Sequence, residues 1–524
     1  MQITSRKKSL PMNAISNWVA LGVTIAVSFL LTPYIITHVG QTNYGIWAIL
    51  TSIIGMYGLL DLGVTSAVAR YGAYYLGERD SEKLNSVYSS SMLVFSLICI
   101  LCLCVTVLIS QPLALYFNIP KNAQLDFKIT LKFFGLSVGL TFISSMFVAL
   151  LRAHERYIPV NMVKVIVELV RGCLSVFLVS RSLSIKGLAI AVLVSSTLGL
   201  VSNVALIKFL TPNLKLHARL VQGEVFVKLF SFGIPAAVIM AAGYICSNLD
   251  SLVVGKWVSI SAIALYVVGA KFSMFLSQFM IAISGVLDPR FARLAGESDQ
   301  YGLEILHRRS TTYLTSMSVT FGLVIIWVGK ALLSAWVGVG FLSAYPVLVL
   351  LTASQMLSAC MFPSVSLLFA LNRHRILSII VSGEAVLNLL LSIVFAELIG
   401  MNGVALGTLI PVVLRISIIL YYLHKLGSIN MKKMTLAIAR PIFVIALFAG
   451  ILMLVVHPVH LSWSQIILFM VTATIALLLS ANYVSFLKED RINLVGTITR
   501  ALSRDRVNKE SIFQPEKRTG VNEE

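Results

Sequence analysis

Residues 85–110 read NSVYSSSMLVFSLICILCLCVTVLIS, a stretch without a single Asp, Glu, Lys or Arg. A bilayer core roughly 30 Å thick takes about 20 helical residues to cross, so this run is long enough and apolar enough to span one. Working outward from it, comparable runs lie near 14–37, 44–66, 129–150, 158–180, 187–207, 229–255, 262–287, 311–338, 343–371, 376–398, 403–423, 436–456 and 463–486. Backbone N–H groups in lipid must be paired within their own segment or in a closed barrel, so the runs are predicted to be helices. The chain is thus expected to be an all-α polytopic membrane protein with about fourteen transmembrane helices. Its composition agrees: the 524 residues are 58% hydrophobic and only 12% charged, where a soluble domain is about a quarter charged.

The net charge of +19 would suit nucleic acid if it formed a patch, but it alternates along the chain instead. With the N-terminus taken as inside, 30 of the 41 Lys and Arg residues fall on inside segments, beginning with Arg6, Lys7 and Lys8. The outside segments hold Lys121, Lys128, Arg181, Lys186, Lys256 and Lys330. Positively charged loops stay in the cytoplasm, so both termini are expected there, in a multi-pass protein of the cell inner (plasma) membrane and with no nucleic-acid partner. The first span is too long for a cleaved leader and reads as a signal anchor. All six cysteines lie inside predicted spans, where Cys acts as a small apolar residue, so no disulfide framework and no metal are expected.

Internal matches divide the chain. Gly77-Glu78-Arg79-Asp80 is echoed by Gly296-Glu297-Ser298-Asp299 at 219 residues, and Arg152-Ala153-His154-Glu155-Arg156 by Ala370-Leu371-Asn372-Arg373-His374 at 218. Lys186-Gly187-Leu188-Ala189 is echoed by Asn402-Gly403-Val404-Ala405 at 216, and Glu168 by Glu384 at the same spacing. Each pair sits at an equivalent place in the order of spans, which predicts a duplicated six-helix lobe: 1–210 and 211–430, with an extra helix pair at 431–486. Six is even, so the two lobes are related by a parallel pseudo-twofold along the membrane normal. That class of architecture places a substrate site between the halves, reached from alternate sides. Residues 487–524 are expected to leave the membrane as a basic amphipathic helix followed by a disordered tail.

Chemistry of the usual catalytic kinds is missing. Gly255-Lys256 and Gly329-Lys330 lack the other residues of a phosphate-cradling loop, no HExxH occurs, and neither cofactor nor catalytic residue is expected. Gly135-Leu136-Ser137-Val138-Gly139 matches a nucleophile elbow, but it lies in mid-span rather than at a strand–helix turn, and reads as a small-xxx-small packing face. What remains are ionisable residues within spans: Asp61, Lys164, Glu168, Arg171, Asp250, Lys271, Glu384 and Arg415. Each costs roughly 2.5–3.5 kcal/mol at the bilayer centre, so each is expected to face an interior or a wet cavity. Lys164, Glu168 and Arg171 are spaced to neutralise one another along one helix face, and Asp61 and Asp250 lie near helix ends where solvent is within reach. Glu168 and Glu384 are duplicated, as an inherited structural role requires. The cations are not: Ile380 and Leu387 stand 216 residues beyond Lys164 and Arg171. Lys164, Arg171, Lys271 and Arg415 are therefore expected to line a cationic cavity for an anionic substrate.

The segment Leu31-Thr32-Pro33, Val39-Gly40, Tyr44-Gly45-Ile46-Trp47, Leu60-Asp61-Leu62-Gly63 and Ala69-Arg70 resembles the opening of the polysaccharide transporter family, the oligosaccharide flippases of the multidrug/oligosaccharidyl-lipid/polysaccharide superfamily. The resemblance extends through Asn248-Leu249-Asp250 and Tyr266 and covers roughly residues 10–425. It implies a fold like that of the multidrug (MATE) members, with two six-helix lobes around a V-shaped cavity. It implies as partner a polyprenyl (undecaprenyl) diphosphate-linked oligosaccharide, moved to the outer leaflet for assembly of O-antigen, capsule or exopolysaccharide. A polysaccharide polymerase and a chain-length regulator are implied as further partners. It also implies coupling to H+ or Na+, with Asp61, Glu168, Asp250 and Glu384 as candidates. A multidrug antiporter would share the fold but should carry an acidic, aromatic site. A lipid II flippase would share the cationic cavity. A polymerase or ligase, an enzyme, would need a large outside loop, and the longest here is only about 18 residues.

Overall fold

The computed structural model describes residues 2–455 and 462–482, apart from 212, 213, 215 and 428. The predicted amphipathic helix and tail after 487 lie outside the described residues. Seventeen α-helices follow one another: α1 Gln2–Val39, α2 Gln41–Tyr57, α3 Val64–Glu78, α4 Ser81–Tyr116, α5 Gln124–Ala153, α6 Tyr157–Ser180, α7 Ser184–Leu210, α8 Gly223–Val253, α9 Ile260–Ser284, α10 Asp288–Gly296, α11 Gln300–Val337, α12 Tyr345–Cys360, α13 Phe362–Ala370, α14 His374–Ile399, α15 Met401–Lys425, α16 Met431–Val455 and α17 Trp463–Ser480. Among the described residues, twelve helices are long and apolar enough to cross a membrane. The predicted fifth and seventh spans are α6 and α8, of 24 and 31 residues; α6 carries Lys164, Glu168 and Arg171 together.

Two predicted spans are not continuous rods. The stretch 44–66 breaks after α2 into a short 3-10 turn, Gly58–Asp61, because Leu62 and Gly63 both take the left-handed conformation (φ 46° and 72°) before α3 begins. The stretch 343–371 breaks between α12 and α13, where Pro363 opens the second helix; a proline fits the first turn of a helix but cannot continue one.

The internal matches have a structural cause. In Gly77-Glu78-Arg79-Asp80, Arg79 is left-handed (φ 58°), its N–H returns to Leu76 O and that of Asp80 to Tyr75 O. In Gly296-Glu297-Ser298-Asp299, Ser298 has φ 55° and the bonds run from Ser298 to Ala295 and from Asp299 to Leu294. Asp80 and Asp299 then cap α4 and α11, accepting from Lys83 N at 2.9 Å and Gly302 N at 2.8 Å. One four-residue device thus ends one helix and starts the next in each half. In the second match the turn residues are Glu155 and Asn372, both at φ 59° with the same bond pattern. The structural register is therefore one residue off the sequence pairing, which had set Arg373 against Glu155.

Packing repeats too. In the first half α1 lies on α6, α4 on α5, α5 on α7 and α6 on α7; in the second, α8 lies on α14, α11 on α12, α12 on α15 and α14 on α15. The halves meet through α2 on α8 and α9, α3 on α8, and α1 on α11, while α16 and α17 pack on α11. Small residues permit the close approaches, as expected where packing rather than hydrophobic exclusion drives helix association in lipid. A side chain at Gly45 of α2 would run into the carbonyl of Ile260, across the junction between the halves. The Gly-Leu-Ser-Val-Gly stretch is such a face: Gly135 and Gly139 lie against Thr106 and Cys99 of α4, and the Ser137 hydroxyl is bound to Phe133 O at 2.7 Å. The nucleophile-elbow pattern is therefore helix packing.

Candidate functional site

The ionisable residues within the spans sort into three groups. The first lies where the halves join. On α6, Glu168 and Arg171 form an ion pair, with Arg171 Nη2 at 2.5 Å and Nε at 3.0 Å from one carboxylate oxygen. Gly172, the next residue, lets α1 approach, so that an added Cβ would stand 3.0 Å from Val27 Cγ1. That brings in Ser28 of α1, which receives Lys271 Nζ of α9 at 3.3 Å. The Arg171 guanidinium lies within electrostatic reach of the Lys271 ammonium, so cations from opposite halves approach each other here, and Glu168 is paired with Arg171. Aromatic contacts bracket them along α1: Phe29 stacks on Trp336 of α11 at 5.1 Å, and Trp18 meets Phe279 of α9 edge-on at 5.9 Å.

Lys164 lies two turns before Arg171 on the same face of α6. It is exposed, and among the described residues it has no ion-pair or hydrogen-bond partner. The expected neutralisation along this face therefore holds for Glu168 and Arg171 and leaves Lys164 out. One turn from it, Asn161 donates to Ser16 at 2.8 Å and Asn17 at 2.7 Å across the α1–α6 seam. Asn161 also lines an apolar groove of about 530 Å³ bounded by Met12, Ile15, Val19, Met162 and Ile166.

The second group is wholly within the second half. Arg415 of α15 donates to Glu384 of α14 at 2.9 Å and to Ser358 of α12 at 2.9 Å. Its neighbours are thus other than those of Arg171 and Lys271, and the four expected cavity cations fall into separate clusters. Glu384 is 8% exposed, and Arg415 Nε is buried without a partner.

The third group surrounds Asp250, which was expected near solvent and is in fact 5% exposed. One oxygen, Oδ2, accepts from the Tyr266 hydroxyl at 2.7 Å and the Thr408 hydroxyl at 2.8 Å. Asn388 donates to that same Thr408 oxygen at 3.0 Å, and Ser392, one turn further along α14, donates to Val404 O at 3.3 Å. Asp250 Oδ1 and Asn388 Oδ1 are both buried with no partner. Unsatisfied acceptors in hydrocarbon are costly, and these two belong to residues linked through the Thr408 hydroxyl. The sequence carried this signal: Asn388 and Ser392 follow Glu384 at successive intervals of four, on one face of α14. Side-chain amides and hydroxyls in an apolar helix carry no formal charge, so they stand out less than the ionisable residues.

Asp61 is also buried, 8% exposed, contrary to expectation. Its Oδ1 accepts from the N–H and hydroxyl of Thr65 at 3.2 and 2.6 Å, closing the first turn of α3 after the chain break. That is a capping role. Among the described residues no cluster of three or more His, Cys, Asp or Glu side chains could hold a metal ion.

A bundle of long apolar helices in two like-packed halves, with ionisable side chains at their junction and inside the second half, defines a polytopic membrane protein. The chain belongs to the polysaccharide biosynthesis protein family, whose sequence model matches residues 11–295. No curated protein matches the sequence. Among solved structures it is similar to the lipid II flippase MurJ in an inward closed conformation, with TM-score 0.69 and 14% identity, covering 90% of this chain and 97% of that one. It is also similar to an inward-facing multidrug resistance MATE transporter (0.64, 14%, 80% and 99%) and to the eukaryotic MATE transporter AtDTX14 (0.59, 18%, 84% and 99%). At these identities the likeness establishes the fold.

Proposed function

We propose that this protein is a cation-coupled flippase that moves a polyprenyl-diphosphate-linked oligosaccharide from the cytoplasmic to the outer leaflet, for assembly of O-antigen, capsule or exopolysaccharide. The observation that carries the reading is the approach of Arg171 and Lys271 across the junction of the halves, Arg171 held by Glu168 and Lys271 by the Ser28 hydroxyl. Arg171 and Lys271 come from different halves, so a diphosphate bound between them would bridge the halves and be released when they rock apart. Lys164, exposed and unpaired on the same face of α6, would receive the headgroup first, and the apolar groove beside Asn161 would accept part of the tail. The repeat units are taken as 1–210 and 211–430, with 431–486 as an accessory pair. The charge alternation supports both termini in the cytoplasm, with an inner membrane in which a polymerase and a chain-length regulator would take the product.

Coupling is assigned to Asp250, whose free oxygen and the free Asn388 oxygen would take a monovalent cation, H+ or Na+. A multidrug antiporter is disfavoured by the cations at the junction; lipid II as substrate shares the diphosphate and differs only in the sugar. The test uses the purified protein in vesicles with a fluorescent polyprenyl-diphosphate sugar in the lumenal or outer leaflet. Translocation that rises with an imposed Na+ or H+ gradient, and is lost in Arg171→Ala and Lys271→Ala, is expected. Translocation of a cationic dye in place of the lipid would overturn the reading.

A further inference from the structure

The Arg415–Glu384 pair and the Asp250 pocket form two layers of one polar column. Glu384, Asn388 and Ser392 are successive turns of the buried face of α14, so the carboxylate of Glu384 lies about 6 Å along the helix axis from Asn388. On α15, Thr408 belongs to the Asp250 layer and Arg415 to the Glu384 layer. The first half keeps only the carboxylate of this column, Glu168, which pairs within its own helix with Arg171. At the 216-residue offset, Asn388, Ser392, Thr408 and Arg415 correspond to Gly172, Val176, Val192 and Gly199. The lobe packs the same way without the column, so packing does not require it.

The two layers are held differently. Before Pro411, α15 is clamped to α14 backbone to backbone: a side chain at Gly403 would run into the Phe395 carbonyl, and one at Gly407 would come 2.6 Å from Ser392 N. Pro411 lies inside α15 and has no N–H to return to Gly407, so the ladder is interrupted between the two layers. Beyond it, Arg415 ties the helix to Glu384 and Ser358 while its Nε stays buried and unpartnered. An ion pair buried with an unmet donor is weakly held, because desolvation offsets much of its attraction.

We infer that Arg415 and Glu384 are a latch below the Asp250 pocket, and that they close the cytoplasmic exit for the coupling cation. This rests on the cation reading of Asp250. In the orientation set by the charge pattern, α14 runs outward, so Glu384 lies between the pocket and the cytoplasm. A cation leaving Asp250 and Asn388 inward meets the Glu384 carboxylate, one turn away, and competes with Arg415 for it. Displaced, Arg415 moves with the part of α15 beyond Pro411, while Thr408 stays clamped above the hinge. The latch thus slows release of the bound cation towards the cytoplasm.

The full-length protein is reconstituted in phospholipid vesicles without lipid-linked substrate. Binding of ²²Na+ and proton uptake (by a pH-sensitive dye) are measured at equilibrium, and release of the bound cation is followed in time. Wild type should take up one of the two cations and Asp250→Asn neither; a wild type that takes up neither overturns the coupling reading itself. Given binding by wild type, Arg415→Gln and Glu384→Gln should still bind but release the cation roughly tenfold faster, the factor that corresponds to losing one intramembrane polar interaction of about 1.4 kcal/mol. The exchange of both, Arg415→Glu with Glu384→Arg, should restore slow release, and Pro411→Ala should slow it below wild type. Release at the wild-type rate in the neutralised variants, or in Pro411→Ala where those do not fold, overturns the latch and leaves the binding result standing.

Discussion

Tyr266 donates its hydroxyl to Asp250 at 2.7 Å, sixteen residues along the chain, across the turn between α8 and α9. The bond occupies Asp250 Oδ2 and leaves Oδ1 unpartnered. Tyr266→Phe removes a donor to a buried carboxylate without opening space. It should lower stability by about 0.6 kcal/mol and at most about 1.7, the average and the largest values for hydrogen bonds between membrane helices, and shift the cation dependence of transport. A thermal-shift assay and transport at graded Na+ and H+ check both; unchanged values in both would remove Tyr266 from the pocket.

Arg171 and Lys271 contribute charge from opposite halves. Either Ala variant should abolish surface polysaccharide export while the protein remains inserted, as judged by membrane fractionation. Normal export by both single variants and by the double variant would sink the cationic junction.

Asp61 Oδ1 accepts from the N–H and hydroxyl of Thr65 in the first turn of α3. Asp61→Ala should cost about 0.5–2 kcal/mol, the usual loss for a helix cap, with the cation dependence of transport retained. A change in which cation drives transport would return Asp61 to the coupling machinery.

Two glycines near the column test the packing. A side chain at Gly403 would collide with the Phe395 carbonyl, whereas nothing lies within 4 Å of the position a Cβ would take at Gly383. Gly403→Ala should therefore destabilise by about 1–3 kcal/mol, and Gly383→Ala should be neutral or stabilise by up to about 1 kcal/mol. Denaturation temperatures in detergent separate the two, and equal losses would refute the predicted contact.

The spans, the all-helical class and the duplication were legible in the amino-acid order, because lipid forces backbone pairing within each segment and lets apolar length report each crossing. The Gly-Glu-x-Asp echo was legible for a local reason as well: one left-handed residue and one capping carboxylate make a turn wherever they occur. The breaks at Leu62 and Pro363 were not, since a run of apolar residues looks the same whether its helix is whole or interrupted.

The buried charges show where sequence stops. Their existence and their price in lipid are set by residue type alone, and so was the expectation that four cations share one cavity. Only the tertiary structure decided that Arg171 and Lys271 meet while Arg415 pairs with Glu384, that Asp61 is spent on a cap, and that Asp250 is enclosed by Tyr266, Thr408 and Asn388. Partner choice depends on which helix faces which across hundreds of residues, and no local periodicity encodes that distance.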